Sequence, residues 1–151
     1  CITDTRKTVP GLRMLDKYAV KSGGGQNHRF SLSDGVLIKD NHINAAGGIK
    51  KAVELARRNI PHTVKIEVET ESLEQVGEAL EAGADIIMLD NMDTRTMKQA
   101  VALIDHRALV EASGNVSMET VGSIASTGVD IISVGELTHS VKAFDISLRF
   151  S

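Results

Sequence analysis

Five short apolar runs, each separated from the next by a segment of helical period, restrict this chain to alternating βα units and a parallel sheet. The runs are Val36-Leu37-Ile38, Val64 to Val68, Ile86 to Leu89, Ala108-Leu109-Val110 and Ile131 to Val134. Between them lie helical stripes such as Ile49, Ala52, Val53 and Ala56, then Leu73, Val76 and Leu80. Ser72 with Gln75, Asp93, and Ser117 with Glu119 signal helix starts, and Gly83 and Gly128 signal helix ends. Gly83-Ala84-Asp85-Ile86-Ile87 is echoed 45 residues later by Gly128-Val129-Asp130-Ile131-Ile132. That offset accommodates two βα units of about 22 residues each. With a strand at Ile2 to Thr5 the count reaches six, short of the eight strands and roughly 250 residues of a full (β/α)₈ barrel. The expected fold is an incomplete, about six-stranded, TIM-like parallel β/α barrel, with an open doubly wound sheet as the alternative. The tail Ile146 to Phe150 is expected to form an extra strand that pairs with a part missing from this chain.

At 151 residues and 42% hydrophobic, the chain supports one core, so residues 1–151 are expected to form a single globular domain. Residues 1–51 hold nine Lys and Arg against four Asp and Glu, whereas the remainder holds eight against sixteen. A local basic sector, a pI of about 5.9 and 3% aromatics speak against a nucleic-acid partner. Cys1 has no second cysteine to pair with, no apolar run suits a signal peptide, and none is long enough to span a bilayer. These features lead to the expectation of a cytoplasmic protein without a membrane partner. The start at Cys1, without Met and five residues before a charged motif, reads as a fragment whose first strand is cut short.

The polar residues that matter fall at the C-terminal ends of the candidate strands, which in a parallel barrel converge on one rim. Arg6, Lys7, His28, Arg29 and Lys39 form a cationic sector suited to carboxylates and phosphates. Glu69 and Asp90 form an anionic sector that could hold sugar hydroxyls or Mg²⁺. Ser113, Gly114 and Asn115, with Gly135, make small turns before helices, where backbone N–H groups receive phosphate. Bland readings stand beside these. Glu69 shares strand parity with Glu67 and could face solvent with it, Asp90 could cap a turn with Asn91, and His139 could cap a helix or touch a phosphate. His42, His62 and His106 have no ligand spacing, and Gly23-Gly24-Gly25 is a lid or a plain loop, not a Walker-type phosphate loop.

In order along the chain, Asp4-Thr5-Arg6-Lys7-Thr8, Pro10-Gly11-Leu12-Arg13, Gly23-Gly24-Gly25, His28-Arg29 and Leu37 to His42 form one ordered set of motifs. It continues through Ile66-Glu67-Val68-Glu69, Met88 to Asn91, Glu111 to Asn115 and Ser133 to His139. The set resembles the quinolinate phosphoribosyltransferases, the carboxylating nicotinate-nucleotide pyrophosphorylases, over essentially the whole chain.

The resemblance implies transfer of phosphoribose from phosphoribosyl pyrophosphate to the ring nitrogen of quinolinate, releasing pyrophosphate and CO₂ and giving nicotinate mononucleotide for NAD synthesis. It implies that Arg6, His28 and Arg29 grip the two carboxylates, and that Lys7 and Lys39 neutralise carboxylate and pyrophosphate charge. Glu69 and Asp90 match the ribose and Mg²⁺ positions, while Ser113, Gly114, Asn115, Gly135 and His139 match the 5′-phosphate end. Lys7, Lys39, Glu69 and Asp90 are the expected catalytic residues. Mg²⁺ is the only cofactor implied, with no organic one. Family members also carry an N-terminal domain and share sites between subunits of a homodimer or higher oligomer, so this segment alone is expected to be inactive. Two alternatives remain at this point: a non-catalytic anion-binding or assembly module, and a related pyrophosphorylase acting on another acid.

Overall fold

The computed structural model describes residues 1–150. Strand β1 (Ile2–Thr3) leads to helix α1 (Arg13–Ser22), and β2 (Val36–Ile38) leads to α2 (Asp40–Ala46) and α3 (Ile49–Asn59). Then β3 (Ile66–Thr70), α4 (Leu73–Glu81), β4 (Ile86–Asp90) and α5 (Thr94–Ile104) alternate. Finally come β5 (Leu109–Ser113), α6 (Val121–Ala125), β6 (Ile131–Ser133) and α7 (Glu136–His139). The strands form one all-parallel sheet in the order β1-β6-β5-β4-β3-β2.

The echoed motif has a local cause. Asp85 Oδ2 accepts the N–H of Ile66 at 2.7 Å, and Asp130 Oδ2 accepts that of Val110 at 2.9 Å. In each unit the aspartate satisfies a backbone donor at the start of the neighbouring strand and so helps fix register. The glycine before it, Gly83 at φ 78° or Gly128 at φ 94°, turns the chain out of the preceding helix through the left-handed region.

Ser72 Oγ accepts from Gln75 N, and Gln75 Oε1 in turn accepts from Glu71 N, opening α4 as expected. Asp93 likewise caps α5 through the Thr96 N–H. The start expected at Ser117 lies one turn later: Ser117 and Thr120 close a turn on each other, and α6 begins at Val121.

Strand parity divides the sheet into two environments. Val68, Ile87, Leu89, Val110, Ala112 and Ile132 point outward and pack with Val53, Val76, Met97, Ile104 and Ile124 of the helices. Each fully buried large aliphatic contributes about 1.5–3 kcal/mol. The opposite face carries Glu67, Glu69, Met88, Asp90, Glu111, Ser113 and Ser133, which line interior cavities. A doubly wound sheet has helices on both faces; here one face encloses a charged interior, as in a barrel.

The seam lies between β1 and β2 and is filled by residues 26–29. Gln26 pairs with β1 in parallel, donating to Ile2 O at 2.9 Å and accepting from Asp4 N at 3.2 Å. Arg29 Nη1 donates to Gly35 O at 2.8 Å beside β2. Thr3 of β1 and Val36 of β2 line the same cavity, so the sheet curls until its edges approach. The tail expected as a strand forms none: residues 141–150 carry no regular structure, and Ile146 and Leu148 are each 82% exposed.

Candidate active site

All twelve candidate site residues line one cavity of about 610 Å³ at the C-terminal ends of the strands. The strand ends deliver Lys39, Glu69, Asp90, Ser113 and Gly135, the turn after β1 delivers Arg6 and Lys7, and the seam delivers His28 and Arg29.

The cationic sector rests on a buried polar anchor. Asp4 is wholly enclosed; its Oδ1 lies 2.6 Å from Lys17 Nζ and accepts His28 N at 2.8 Å, and its Oδ2 accepts Asn27 Nδ2 at 2.6 Å. One carboxylate thereby ties β1, α1 and the seam together two residues before Arg6. Arg13 donates to Arg6 O at 3.0 Å and to Thr8 Oγ1 at 3.1 Å, and Thr138 Oγ1 donates to Lys7 O at 2.7 Å. These bonds fix the backbone and leave the side chains of Arg6 and Lys7 for the cavity.

Arg6 Nε is buried and has no hydrogen-bond partner among the described residues. Burial, and then the nearby charge of Arg6, push the pKa of Arg29 down. Two guanidinium groups held close enough to repel, one with a buried open donor, make a site that gains by taking an anion.

Lys39 forms an ion pair with Glu69 across β2 and β3, so these carboxylate and ammonium groups balance each other at the rim. The Nδ1 of His42 accepts the Lys39 N–H at 3.0 Å, an ordinary role at a helix start. Beyond Glu69, Asn91 Nδ2 donates to Asp90 Oδ2 at 3.0 Å and Asn91 Oδ1 accepts from Asn115 Nδ2 at 3.0 Å. Asn91 and Asn115 both have positive φ, as does Gly114 at φ 92°. A Cβ on Gly114 would collide with the Asn91 amide, so the turn after β5 is built for close approach. His139 lies over Gly135, whose added Cβ would sit 3.0 Å from the imidazole. Gly23-Gly24-Gly25 closes the end of α1 through bonds to Ala19 O, Lys21 O and Val20 O and lines neither cavity, which fits the plain-loop reading.

Under the mouth lies a cluster that the strand-end reading misses. His28 Nε2 is 3.1 Å from Glu67 Oε2 and 3.6 Å from Glu111 Oε2, with the Glu67 and Glu111 side chains 5% and 1% exposed. Glu67 Oε1 and Glu111 Oε1 are buried without partners among the described residues. Burial, followed by the adjacent Glu67 charge, raises Glu111 to about 7. Chiefly through its hydrogen bond, Glu67 also pulls His28 upward. Since His28 Nδ1 accepts the Arg29 N–H at 2.9 Å, the ring as arranged carries its proton on Nε2, toward the carboxylates. Both ring nitrogens are therefore committed, and without a ligand His28 offers no free N–H to the mouth. The signal for this cluster was present in the alternation of Ile66-Glu67-Val68-Glu69, with both glutamates on the interior face.

The sequence model of a family described as "Quinolinate phosphoribosyl transferase, C-terminal domain" matches residues 1–149. A Bacillus subtilis protein named probable nicotinate-nucleotide pyrophosphorylase [carboxylating] is 54% identical over 147 residues, covering 97% of this chain and 51% of that protein. The chloroplastic nicotinate-nucleotide pyrophosphorylase [carboxylating] of Arabidopsis thaliana is 52% identical, covering 99% and 48%. The crystal structure of NadC from Streptococcus pyogenes superposes with a TM-score of 0.95 at 49% identity, covering 99% of this chain and 52% of that one. The chain spans about half the length of the curated relatives it matches.

Proposed function

This chain belongs to the quinolinate phosphoribosyl transferase C-terminal domain family, and on that premise we propose that it is the catalytic barrel domain of a carboxylating nicotinate-nucleotide pyrophosphorylase. The reaction is transfer of phosphoribose from phosphoribosyl pyrophosphate to the nitrogen of quinolinate, with loss of pyrophosphate and CO₂, as a step in NAD synthesis. The observation that carries this reading is the division of one cavity into a cationic wall with an open Arg6 donor and a facing wall of carboxylates and small turns.

Arg6 and Arg29 bind the ring dicarboxylate, their mutual repulsion relieved by its two charges. Lys7 and Lys39 face the pyrophosphate, and Glu69 and Asp90 take the ribose hydroxyls. Ser113, Gly114, Asn115, Gly135 and His139 receive the 5′-phosphate. As the glycosidic centre becomes oxocarbenium-like, cations already held by the scaffold stabilise the departing polyanion. His28 shapes the acceptor side and turns its N–H to the ligand only by giving up a bond it now makes.

The donor chemistry fits Mg²⁺ through oxygen ligands at Glu69 and Asp90. Glu69 is already paired with Lys39, and these two residues do not gather a third ligand into a metal cluster among the described residues. This suits an ion that arrives with substrate phosphates rather than one held in a protein cage. When bound, Mg²⁺ would neutralise leaving-group charge.

The reading includes a homodimer or higher oligomer with shared sites, supported by the exposed Leu12, Met14, Leu15 and Tyr18 beside the cationic wall. No helix among the described residues is long and apolar enough to cross a membrane. We propose a cytoplasmic location, set against the chloroplastic and mitochondrial names of plant relatives.

Acceptor choice tests the substrate assignment. With the full-length protein, quinolinate is expected to be used at least 100-fold more efficiently than nicotinate, about the effect of leaving a buried cationic partner unpaired. Equal efficiencies would overturn the dicarboxylate assignment.

A further inference from the structure

The proposed reaction removes a ring carboxylate, which leaves an electron pair on the ring carbon that only a proton can satisfy. Glu111 is one cavity-lining side chain placed to supply it. It stands on the interior face of β5, opposite Met88 of β4 and Ile131 of β6 in register, and lines the floor of the mouth cavity together with Arg6, Arg29 and His28. Its Oε1 is buried and makes no hydrogen bond, so a proton on that oxygen has no internal acceptor.

We propose that Glu111 is the proton donor of the decarboxylation, with Glu67 and His28 as positioning residues beneath it. The assignment rests on the reaction proposed above. The carbon–carboxylate bond breaks, CO₂ leaves without the bonding pair, and the pair left on the ring carbon takes the carboxylic proton of Glu111. Glu111 becomes a carboxylate and is reprotonated from solvent once product leaves.

Two observations separate its role from that of Glu67, and a third bears on metal binding. Glu67 accepts the His28 Nε2–H at hydrogen-bond distance and is committed to that bond, while Glu111 lies farther off, at 3.6 Å. Glu67 borders only the smaller cavity below, whereas Glu111 borders both. The Arg29 N–H at Nδ1 keeps the His28 proton on Nε2, which also argues against a metal bond at that nitrogen, although the three side chains have the composition of a ligand set.

The charged and titratable groups that set Glu111 come from every side: Glu67 from β3, His28 from the seam, and, acting through His28, Arg29, with the hydroxyl of Ser133 from β6. Burial and Glu67 favour the protonated carboxyl, and His28 and Ser133 oppose it.

The test uses the full-length protein with quinolinate, phosphoribosyl pyrophosphate and Mg²⁺, reading pyrophosphate and CO₂ separately. Glu111→Gln is expected to keep releasing pyrophosphate while CO₂ release falls by about 10²-fold or more, with a nucleotide retaining both carboxylates accumulating. The wild-type CO₂ step is expected to decline above pH about 7, a break lost in Glu111→Gln, retained in Glu111→Asp and moved to lower pH in Glu67→Gln. A merely structural role would not change that break differently in the three variants. CO₂ release by Glu111→Gln at the wild-type rate, or an unshifted break in Glu67→Gln, overturns the inference. Absence of pyrophosphate release by the wild type overturns instead the transfer reaction on which it stands.

Discussion

Lys17 Nζ lies 2.6 Å from Asp4 Oδ1 with the two side chains 4% and 0% exposed, so the cationic wall of the site is hung from a buried ion pair. Every remaining donor around Asp4 belongs to the seam that carries His28. Replacing Asp4 with Asn preserves shape but leaves the Lys17 ammonium enclosed without its counter-charge. The expected cost is about 3–5 kcal/mol, measured by denaturant unfolding. A loss below 1 kcal/mol would show that the pair does not organise the wall.

The pair at the rim behaves differently because it is wet. Lys39 is 45% exposed at its side chain, so Lys39→Ala should change stability by less than about 1 kcal/mol. Activity of the full-length protein should nevertheless fall by about 10²-fold or more, because in the proposed site this charge faces the leaving group. Arg6→Ala should act in the same way, mainly by weakening acceptor binding. Intact turnover in both variants would remove them from the site.

Gly114 is constrained twice, by φ 92° and by the Asn91 amide packed against its missing Cβ. Gly114→Ala should destabilise by about 1–3 kcal/mol and disturb the Asn91 contacts to Asp90 and Asn115. Thermal unfolding checks the first effect, and weakened binding of phosphoribosyl pyrophosphate checks the second.

Stability should fall with rising pH. Glu111 titrates near 4.5 when unfolded and about 7 when folded, so the folded chain binds more protons across that interval. Below it both states are protonated and nothing is lost; above it the full penalty of the buried carboxylate applies, about 3 kcal/mol at most. His28, raised mainly by Glu67, adds to the same trend, since its contribution is present at low pH and lost as pH rises through its folded value. Unfolding curves from pH 5 to 8 should show a decline that Glu111→Gln flattens; a stability independent of pH would contradict this.

Much of the framework is legible from residue order because it depends on local rules. Apolar runs mark β2 and β4 closely, Ser72 and Asp93 open their helices, and the rim residues reach one cavity because parallel strands share an end. The failures have separate physical causes. The run Ala108-Leu109-Val110 marks only the first part of β5, which continues through Glu111 to Ser113. The barrel interior is the environment where such a charge continues the strand. Asp4 and Lys17 are similarly opaque, since their pairing is set by how α1 folds back on β1 and not by any helical or strand period. Ser117 misleads because the same hydroxyl closes a turn as readily as it caps a helix.

The most direct measurement is product analysis by mass spectrometry of the full-length protein supplied with quinolinate, phosphoribosyl pyrophosphate and Mg²⁺. The account predicts nicotinate mononucleotide with one pyrophosphate and one CO₂ for each molecule formed. Binding of either substrate without any nucleotide product would contradict it and leave the cavity an anion-binding site without this chemistry.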